Sequence, residues 1–458
     1  MADVDRSRLT TLLAAEMAAY TEAHPRCREL FDGAGNLFGK VPMTWMNMWT
    51  GGFPLYLDRG RGNRISCVDQ RTYLDFALGD TGAMAGHSPQ PTLDAIQRRA
   101  AELGGLTTML PTEDAQWVGA ELSRRFGLPL WSFALSATDA NRWAIRLARL
   151  VTGKPKILVF AYCYHGSVDE TLALPGPDGS TIARPGNVAP PVPLDQTTRA
   201  ATWNDLASVE AQLAHGDVAA ILTEPALTNI GIVLPEPGFH EGLRELADRY
   251  GALLMIDETH TFSAGWGGAS TEWGLRPDIF VIGKSIGGGV PCGAYGLTAE
   301  VAAAVWSRTT SGEADIVDVG GVGGTLAGNA LSTAAMHATL DEVLTPEAFQ
   351  RMTSLAELFT AGVQATLEEF EVPWTISRLG ARAEYRFANP APRSGEESAA
   401  AADDDLDAYL HLAMSNRGIL ITPFHNMALV CPQTVEADVA RHTAVFREVV
   451  GALFTKIT

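Results

Sequence analysis

Lysine is scarce in this chain: five stand against 29 arginines in 458 residues. Arginine therefore does the basic surface work, and a lysine in an unusual setting asks for a chemical explanation. Cations as a whole are few, 34 against 53 carboxylates, giving a net charge of −19. That balance argues against nucleic-acid binding, which needs clustered cations. Long apolar runs are missing too, and none approaches the roughly 18 residues that cross a membrane. The opening stretch, MADVDRSRLTTLLAAEMAAY, carries acids early and predicts an amphipathic helix. It lacks the basic start and apolar centre of a secretory leader. Cysteines are few and scattered (Cys27, Cys67, Cys163, Cys292 and Cys431), with no CxxC pair. Such a set fits buried small hydrophobes in a reducing cytoplasm, with no metal site expected. There is no internal repeat.

The chain is long enough for two or three domains. Short apolar runs recur in its middle third: ILVF at 157–160, VAAIL at 218–222, ALLMI at 252–256 and IFVI at 279–282. Each is too short for a buried helix and apolar at nearly every position, as strands covered on both faces are. Between them lie helical patterns. In 239–251, Phe239, Leu243, Leu246, Ala247 and Tyr250 recur at helical spacing, and Gly251 suits a C-cap. Strand and helix in alternation predict an α/β core with a parallel sheet. The Pro-, Ala- and acid-rich stretch 389–407 predicts a long surface loop, and 174–193 a milder one.

Polar and reactive groups follow each apolar run: Tyr164 and His165, then Glu224 and Asn229, then Asp257, Glu258 and His260, then Lys284. Open parallel sheets bind ligands beyond the carboxyl ends of their strands, so these groups are expected in one crevice. Lys284 sits in VIGKSIGGGVPCGAYG. A phosphate-binding P-loop would need glycine at position 278, which is Asp, and the glycines here follow the lysine. A surface lysine at a strand end accounts poorly for the glycines around it. An amine nucleophile in a partly desolvated cleft accounts for them better, and pyridoxal phosphate is the usual aldehyde partner. That cofactor needs a carboxylate for its ring nitrogen, an anion site and a stacking group. Asp257 closes the strand before the lysine strand. Ser136 and Asp139 in 136-SATDAN are spaced as an N-cap and its acid, and a helix N-terminus attracts phosphate. Tyr164 offers a ring.

With these residues in place, the chain resembles the class III aminotransferases of fold type I, nearest the subgroup of glutamate-1-semialdehyde aminomutase and the β-amino-acid aminotransferases. The resemblance rests on 136-SATDAN, 162-YCYHG, 224-EPALTNIG, 253-LLMIDE, 283-GKSIGGGVPCGAYG and 324-GTLAGN, and runs from about residue 60 to near the C-terminus. It implies a mostly parallel seven-stranded sheet in a large domain, residues 76–335. A smaller α+β domain would comprise 336–458 with the segment 1–75. It implies that Lys284 forms the Schiff base with pyridoxal phosphate and that Asp257 pairs with the ring nitrogen. Ala137 and Thr138 would bind the phosphate, Tyr164 would stack on the ring, and Thr259 would lie on its other face. Asn229 would reach the phenolic oxygen beside Glu224. Thr325 would bind the phosphate from a neighbouring subunit, hence a homodimer with shared sites.

The chain departs from the family at the substrate end. Glutamate-1-semialdehyde aminomutase carries an arginine in a Ser-Pro-Val-Arg stretch, whereas 41-VPMTWMNMWTGG-52 has none and offers Trp45 and Trp49 as walls of an apolar pocket. His260 is a candidate for the substrate pocket. Arg382 and Arg386, on one face of a strand at 381–387 with Glu384, either bind a substrate carboxylate or pair with acids. The resulting expectation is a cytoplasmic aminotransferase passing an amino group from a small-molecule donor to a keto acceptor. An aminomutase or a racemase is the alternative. Neither nucleic acid nor membrane is an expected partner.

Overall fold

The computed structural model describes residues 4–312, 314–317 and 321–454. The chain divides into two units: 90–347 with 392–400, and the remainder, which gathers 4–89, 348–391 and 401–454.

The first of these holds a seven-stranded sheet. Its strands, in chain order, are β1 (Leu130–Ala134), β2 (Lys156–Phe160), β3 (Thr198–Ala201), β4 (Val218–Thr223), β5 (Leu253–Asp257), β6 (Ile279–Gly283) and β7 (Gly293–Leu297). The spatial order is β1-β7-β6-β5-β4-β2-β3. Only β7 runs against its neighbours; every other pairing is parallel. The four apolar runs of the sequence are β2, β4, β5 and β6. All residues of β4 and β6 are buried, which is why these strands read as continuous apolar runs and not as alternating ones.

Two helices matter for the site. Helix α1 (Ala137–Thr152) starts where the sequence places it: the Ser136 hydroxyl accepts the Asp139 N–H at 3.2 Å. Its inner face buries Ala140, Ala144, Ile145, Leu147 and Ala148 against the sheet. Helix α2 (Phe239–Tyr250) ends at Gly251, whose φ of 58° is the left-handed conformation that a C-cap glycine supplies. Because the parallel strands share one direction, their carboxyl ends (Phe160, Thr223, Asp257 and Gly283) lie along one edge of the sheet. Ala134 and Gly293, paired with each other, reach that same edge.

In the other unit, a helix over Arg6–Ala23 accompanies a four-stranded sheet and a three-stranded one. The helix Asp404–Asn416 packs on Arg6–Ala23, and Glu436–Phe454 closes the core around Phe359, Tyr385, Tyr409 and Phe446. Residues 76–89, expected with the large domain, belong to this unit, while 336–347 belong to the sheet unit.

The stretch 389–407 is not the long loop its composition predicts. Helix Gly395–Ala400 occupies its middle, with Ser398 fully buried and hydrogen-bonded to the Ile230 carbonyl. Asp403 then caps the helix that follows, accepting the Leu406 N–H at 3.1 Å. Glu and Ala are good helix formers, and acids favour helix starts; the loop composition concealed both. Residues 392–400 pack with the sheet unit, where Arg393 pairs with Glu236 at 2.5 Å.

The strand expected at 381–387 is Arg382–Arg386, and it is buried at every residue. Arg382 and Glu384 share a face, yet they serve different partners. The Arg382 guanidinium faces Asp80 at 3.7 Å and the Thr81 hydroxyl at 3.4 Å, while Glu384 lies 3.3 Å from His425 Nδ1. Trp45 is exposed and tilts against Phe424, and Trp49 is half-buried beside Tyr20 and His411.

Candidate active site

At the carboxyl edge of the sheet, strand pairing sets Asp257 opposite Val281, a few residues from Lys284 on the neighbouring strand. Lys284 begins a short 3-10 turn and has φ 53°, a left-handed conformation that is unusual for a residue with a side chain. Strain of this kind persists where surrounding structure enforces it, and it gathers at functional positions. Lys284 Nζ lies 2.8 Å from His260 Nε2.

Asp257 is the best-anchored charge of the edge. Its Oδ2 accepts from Asn141 Nδ2 at 2.7 Å and from His165 Nδ1 at 3.0 Å, and its Oδ1 accepts the Thr259 N–H at 3.0 Å. All four residues are buried. Burial alone acts to raise the Asp257 carboxyl, but the His165, Thr259 and Asn141 hydrogen bonds and the His165 charge outweigh it and hold it below the usual carboxylate range. Burial likewise acts to lower His165, and its interactions with Cys163 and Asp257 reverse this, leaving the imidazole well above its ordinary value. His165 Nδ1 thus lies against the ionised Asp257 carboxylate, 3.0 Å from Oδ2.

Glu224 follows β4. It accepts from the Thr228 hydroxyl and, at 3.2 Å, from the Tyr164 N–H. Burial pushes its carboxyl up. Tyr164 is half-buried. With its oxygen turned toward the guanidinium, the Asn229 amide accepts from Arg184 at 3.2 and 2.7 Å. Arg184 also donates to the Cys163 carbonyl at 3.1 Å and lies over the Tyr162 ring.

The helix α1 N-terminus reaches the same edge. Its first N–H groups, those of Ala137 and Thr138, have no intrahelical acceptor, because only from Ala140 onward does a preceding turn supply one. Gly283 and Gly293 lie tight against it: a Cβ at Gly293 would stand 2.5 Å from the Ser136 carbonyl, and one at Gly283 would stand 3.0 Å from the Ala137 nitrogen. Side chains there would push the helix start away from the edge.

These residues fit pyridoxal phosphate. A carboxylate oxygen accepts two hydrogen bonds, and Asp257 Oδ1 takes one from the Thr259 N–H where Oδ2 takes two, which leaves Oδ1 able to meet a protonated ring nitrogen. Lys284 offers an amine at the same edge, and the open N–H groups of Ala137 and Thr138 suit a phosphate. The Thr259 hydroxyl is buried with no hydrogen-bond partner.

The sheet unit thus contains Ala137, Thr138, Tyr164, Glu224, Asn229, Asp257, Thr259, His260, Lys284 and Thr325. Trp45, Trp49, Arg382 and Arg386 belong to the other unit. Thr325 is exposed, on a loop beside Met109, Leu110 and Asn329. Two participants went unassigned in the sequence reading. Asn141 carried a signal, since an amide on the apolar face of a helix must find a buried partner. Arg184 carried none, lying in a stretch that reads only as loop. Among the described residues, Cys27, Cys67 and Asp69 form the one group with metal-ligand spacing, although no metal was expected. Two backbone N–H groups hold the Asp69 carboxylate, at 2.8 and 3.0 Å. No helix among the described residues is long and apolar enough to cross a membrane.

A model of the family Aminotransferase class-III matches residues 45–447. The chain is 35% identical over 387 residues to a glutamate-1-semialdehyde 2,1-aminomutase of Roseiflexus castenholzii, covering 81% of this chain and 84% of that protein. Among solved structures, a glutamate-1-semialdehyde-aminomutase from Pseudomonas aeruginosa PAO1 in complex with PMP is similar at 47% identity and a TM-score of 0.95, over 98% of this chain and 99% of that one. An omega-transaminase from Sphaerobacter thermophilus is similar at 28% identity and a TM-score of 0.84, over 93% and 98%.

Proposed function

The chain belongs to the class-III aminotransferase family, and on that premise we propose that it is an aminomutase, moving an amino group between adjacent carbons of one substrate. The observation that carries this reading is the 47% identity, over 98% of the chain, to a protein named as a glutamate-1-semialdehyde aminomutase. Relatives at 32–36% identity carry the same name. The substrate class is an α-amino aldehyde with a distal carboxylate. The sequence alone favoured transfer between two molecules, and the relatives weigh against that preference.

Pyridoxal phosphate, when bound, supplies an electron sink for the carbon that loses its proton. The chain's residues do the rest. Lys284 Nζ would hold the cofactor's aldehyde carbon and, as a free amine, would move the proton to and from the substrate carbon. Asp257 Oδ1 would hold the proton on the ring nitrogen, and His165 and Asn141 fix that carboxylate in its ionised form. Ala137 and Thr138 would hold the phosphate, Tyr164 and Thr259 would flank the ring, and Asn229 with Glu224 would serve its phenolic oxygen. In a homodimer, Thr325 would add a phosphate contact from the second subunit. The exposure of Met109 and Leu110 beside it supports that arrangement.

Transamination is the second reading, favoured by the absence of arginine from 41–52. One assay separates the two. Glutamate 1-semialdehyde is supplied with no amino donor or acceptor, and the products are resolved by chromatography. Isomerisation, with the amine moved from C2 to C1, is expected. A deaminated product that forms only when a keto acid is added would overturn the mutase reading and leave transamination. The cofactor assignment has its own test: the purified protein shows a visible absorbance band that borohydride abolishes and Lys284→Ala lacks. A retained band in that variant would refute the role of Lys284.

A further inference from the structure

The contact between Lys284 and His260 has no part in the scheme above. His260 Nε2 stands 2.8 Å from Lys284 Nζ, and His260 is only 8% exposed. A protonated lysine is donor-only, with three N–H bonds and no lone pair. Facing it at this distance, Nε2 must be the acceptor, which puts the imidazole hydrogen on Nδ1. The other acids near His260 in sequence point elsewhere. Asp257 is committed to Asn141, His165 and Thr259, and Glu258 accepts from the Ala269 and Ser270 N–H groups and, at 2.6 Å, from the Ser270 hydroxyl. At this contact Lys284 meets an imidazole nitrogen and not a carboxylate. An ion-paired carboxylate would hold its proton far more strongly.

We propose that His260 is a positioning residue for Lys284: its Nε2 lone pair accepts a hydrogen bond from the Lys284 ammonium, aims it, and stabilises the charge that appears when the amine takes the substrate's proton. In that step the substrate C–H bond breaks, its electron pair stays with the carbon and would be delocalised into the bound cofactor, and an N–H bond forms on Nζ. The positive charge gained by Nζ is shared with the imidazole through the hydrogen bond, and nothing is oxidised or reduced. The inference rests on Lys284 being the amine that reacts with the cofactor, but not on which amino transfer follows.

Relative acetylation rates test it without reference to activity. The protein is loaded with pyridoxamine phosphate, a form in which the Lys284 amine is free, and pulsed at pH 8 with isotopically labelled acetic anhydride. Mass spectrometry then gives the rate at Lys284 relative to Lys154, whose ammonium is bonded to the Tyr250 and Gly251 carbonyls and serves as internal standard. Only the neutral amine reacts. His260→Leu removes the acceptor at similar volume, so Lys284 should label about tenfold faster, the effect of losing one hydrogen bond to a charged group. His260→Gln keeps an acceptor oxygen and should return the rate to within about twofold of wild type. Equal rates in all three proteins would overturn the proposal, as would acceleration in both variants, which marks loosened packing instead. If His260→Leu does not fold, His260→Ala takes its place with the same expectation. Failure of the mutase reading shows in the isomerisation assay and leaves these rates untouched.

Discussion

Asn141 offers the sharpest test of the site's electrostatics. It is fully buried, and its Nδ2 donates both to Asp257 Oδ2 at 2.7 Å and to the His165 carbonyl at 3.1 Å. Asn141→Leu keeps the volume and removes both donors. A hydrogen bond to a buried charge contributes about 1.5–3 kcal/mol, and an orphaned buried carbonyl costs about 1–3 kcal/mol. The two losses share one side chain and are not independent, so the expected destabilisation is about 2–5 kcal/mol. At about 2 °C per kcal/mol for a large domain, the melting temperature falls by roughly 4–10 °C. The sign with pH follows from the depressed carboxyl of Asp257. Stability from a depressed acid is present above its unfolded value and is lost as pH falls through the folded one. The gap between wild type and variant is therefore full at pH 7.5 and still full at pH 5.5. Because the carboxylate is less firmly held, cofactor affinity also falls, by about tenfold for one such bond. Thermal melts of the cofactor-free protein and a cofactor titration read both effects. A variant melting within 1 °C of wild type, with unchanged affinity, would refute the claim that Asn141 holds Asp257.

Three further perturbations follow from the same structure. Burial pushes the Glu258 carboxyl up to about 7 from 4.5, so wild type loses stability as pH rises through that interval. Glu258→Gln cannot ionise, and its melting temperature relative to wild type should climb between pH 5 and pH 8; a flat difference would contradict the raised carboxyl. His442 is fully buried among Phe76, Phe359 and Phe446, neither ring nitrogen has a hydrogen-bond partner, and burial lowers it to about 3. His442→Leu should stabilise the protein by about 1–2 kcal/mol, increasingly so as pH falls from about 7 to about 5, and a lower melting temperature would count against it. Gly293→Ala drives a Cβ to 2.5 Å from the Ser136 carbonyl, and such overpacking costs about 1–3 kcal/mol. It should weaken cofactor binding at least about tenfold, and wild-type affinity would show that the helix start need not approach the edge so closely.

The sequence by itself determined the sheet and the chemistry along its edge. Strands covered on both faces must be apolar throughout, so β2, β4, β5 and β6 declare themselves locally, and the polar residues that break each run are the strand ends. The cap at Ser136 and the glycine after Tyr250 are equally local signals. It misjudged 389–407, where loop-like composition hid the helix Gly395–Ala400 and the capped start of another. What only the tertiary structure decided is which side chain meets which. Asn141 and His165 converge on one oxygen of Asp257 from two separate elements, Arg382 meets Asp80 and not its strand neighbour Glu384, and His260 turns to Lys284. These are distances between segments far apart in the chain, set by strand order and by the packing of α1 on the sheet. No periodicity or composition encodes them.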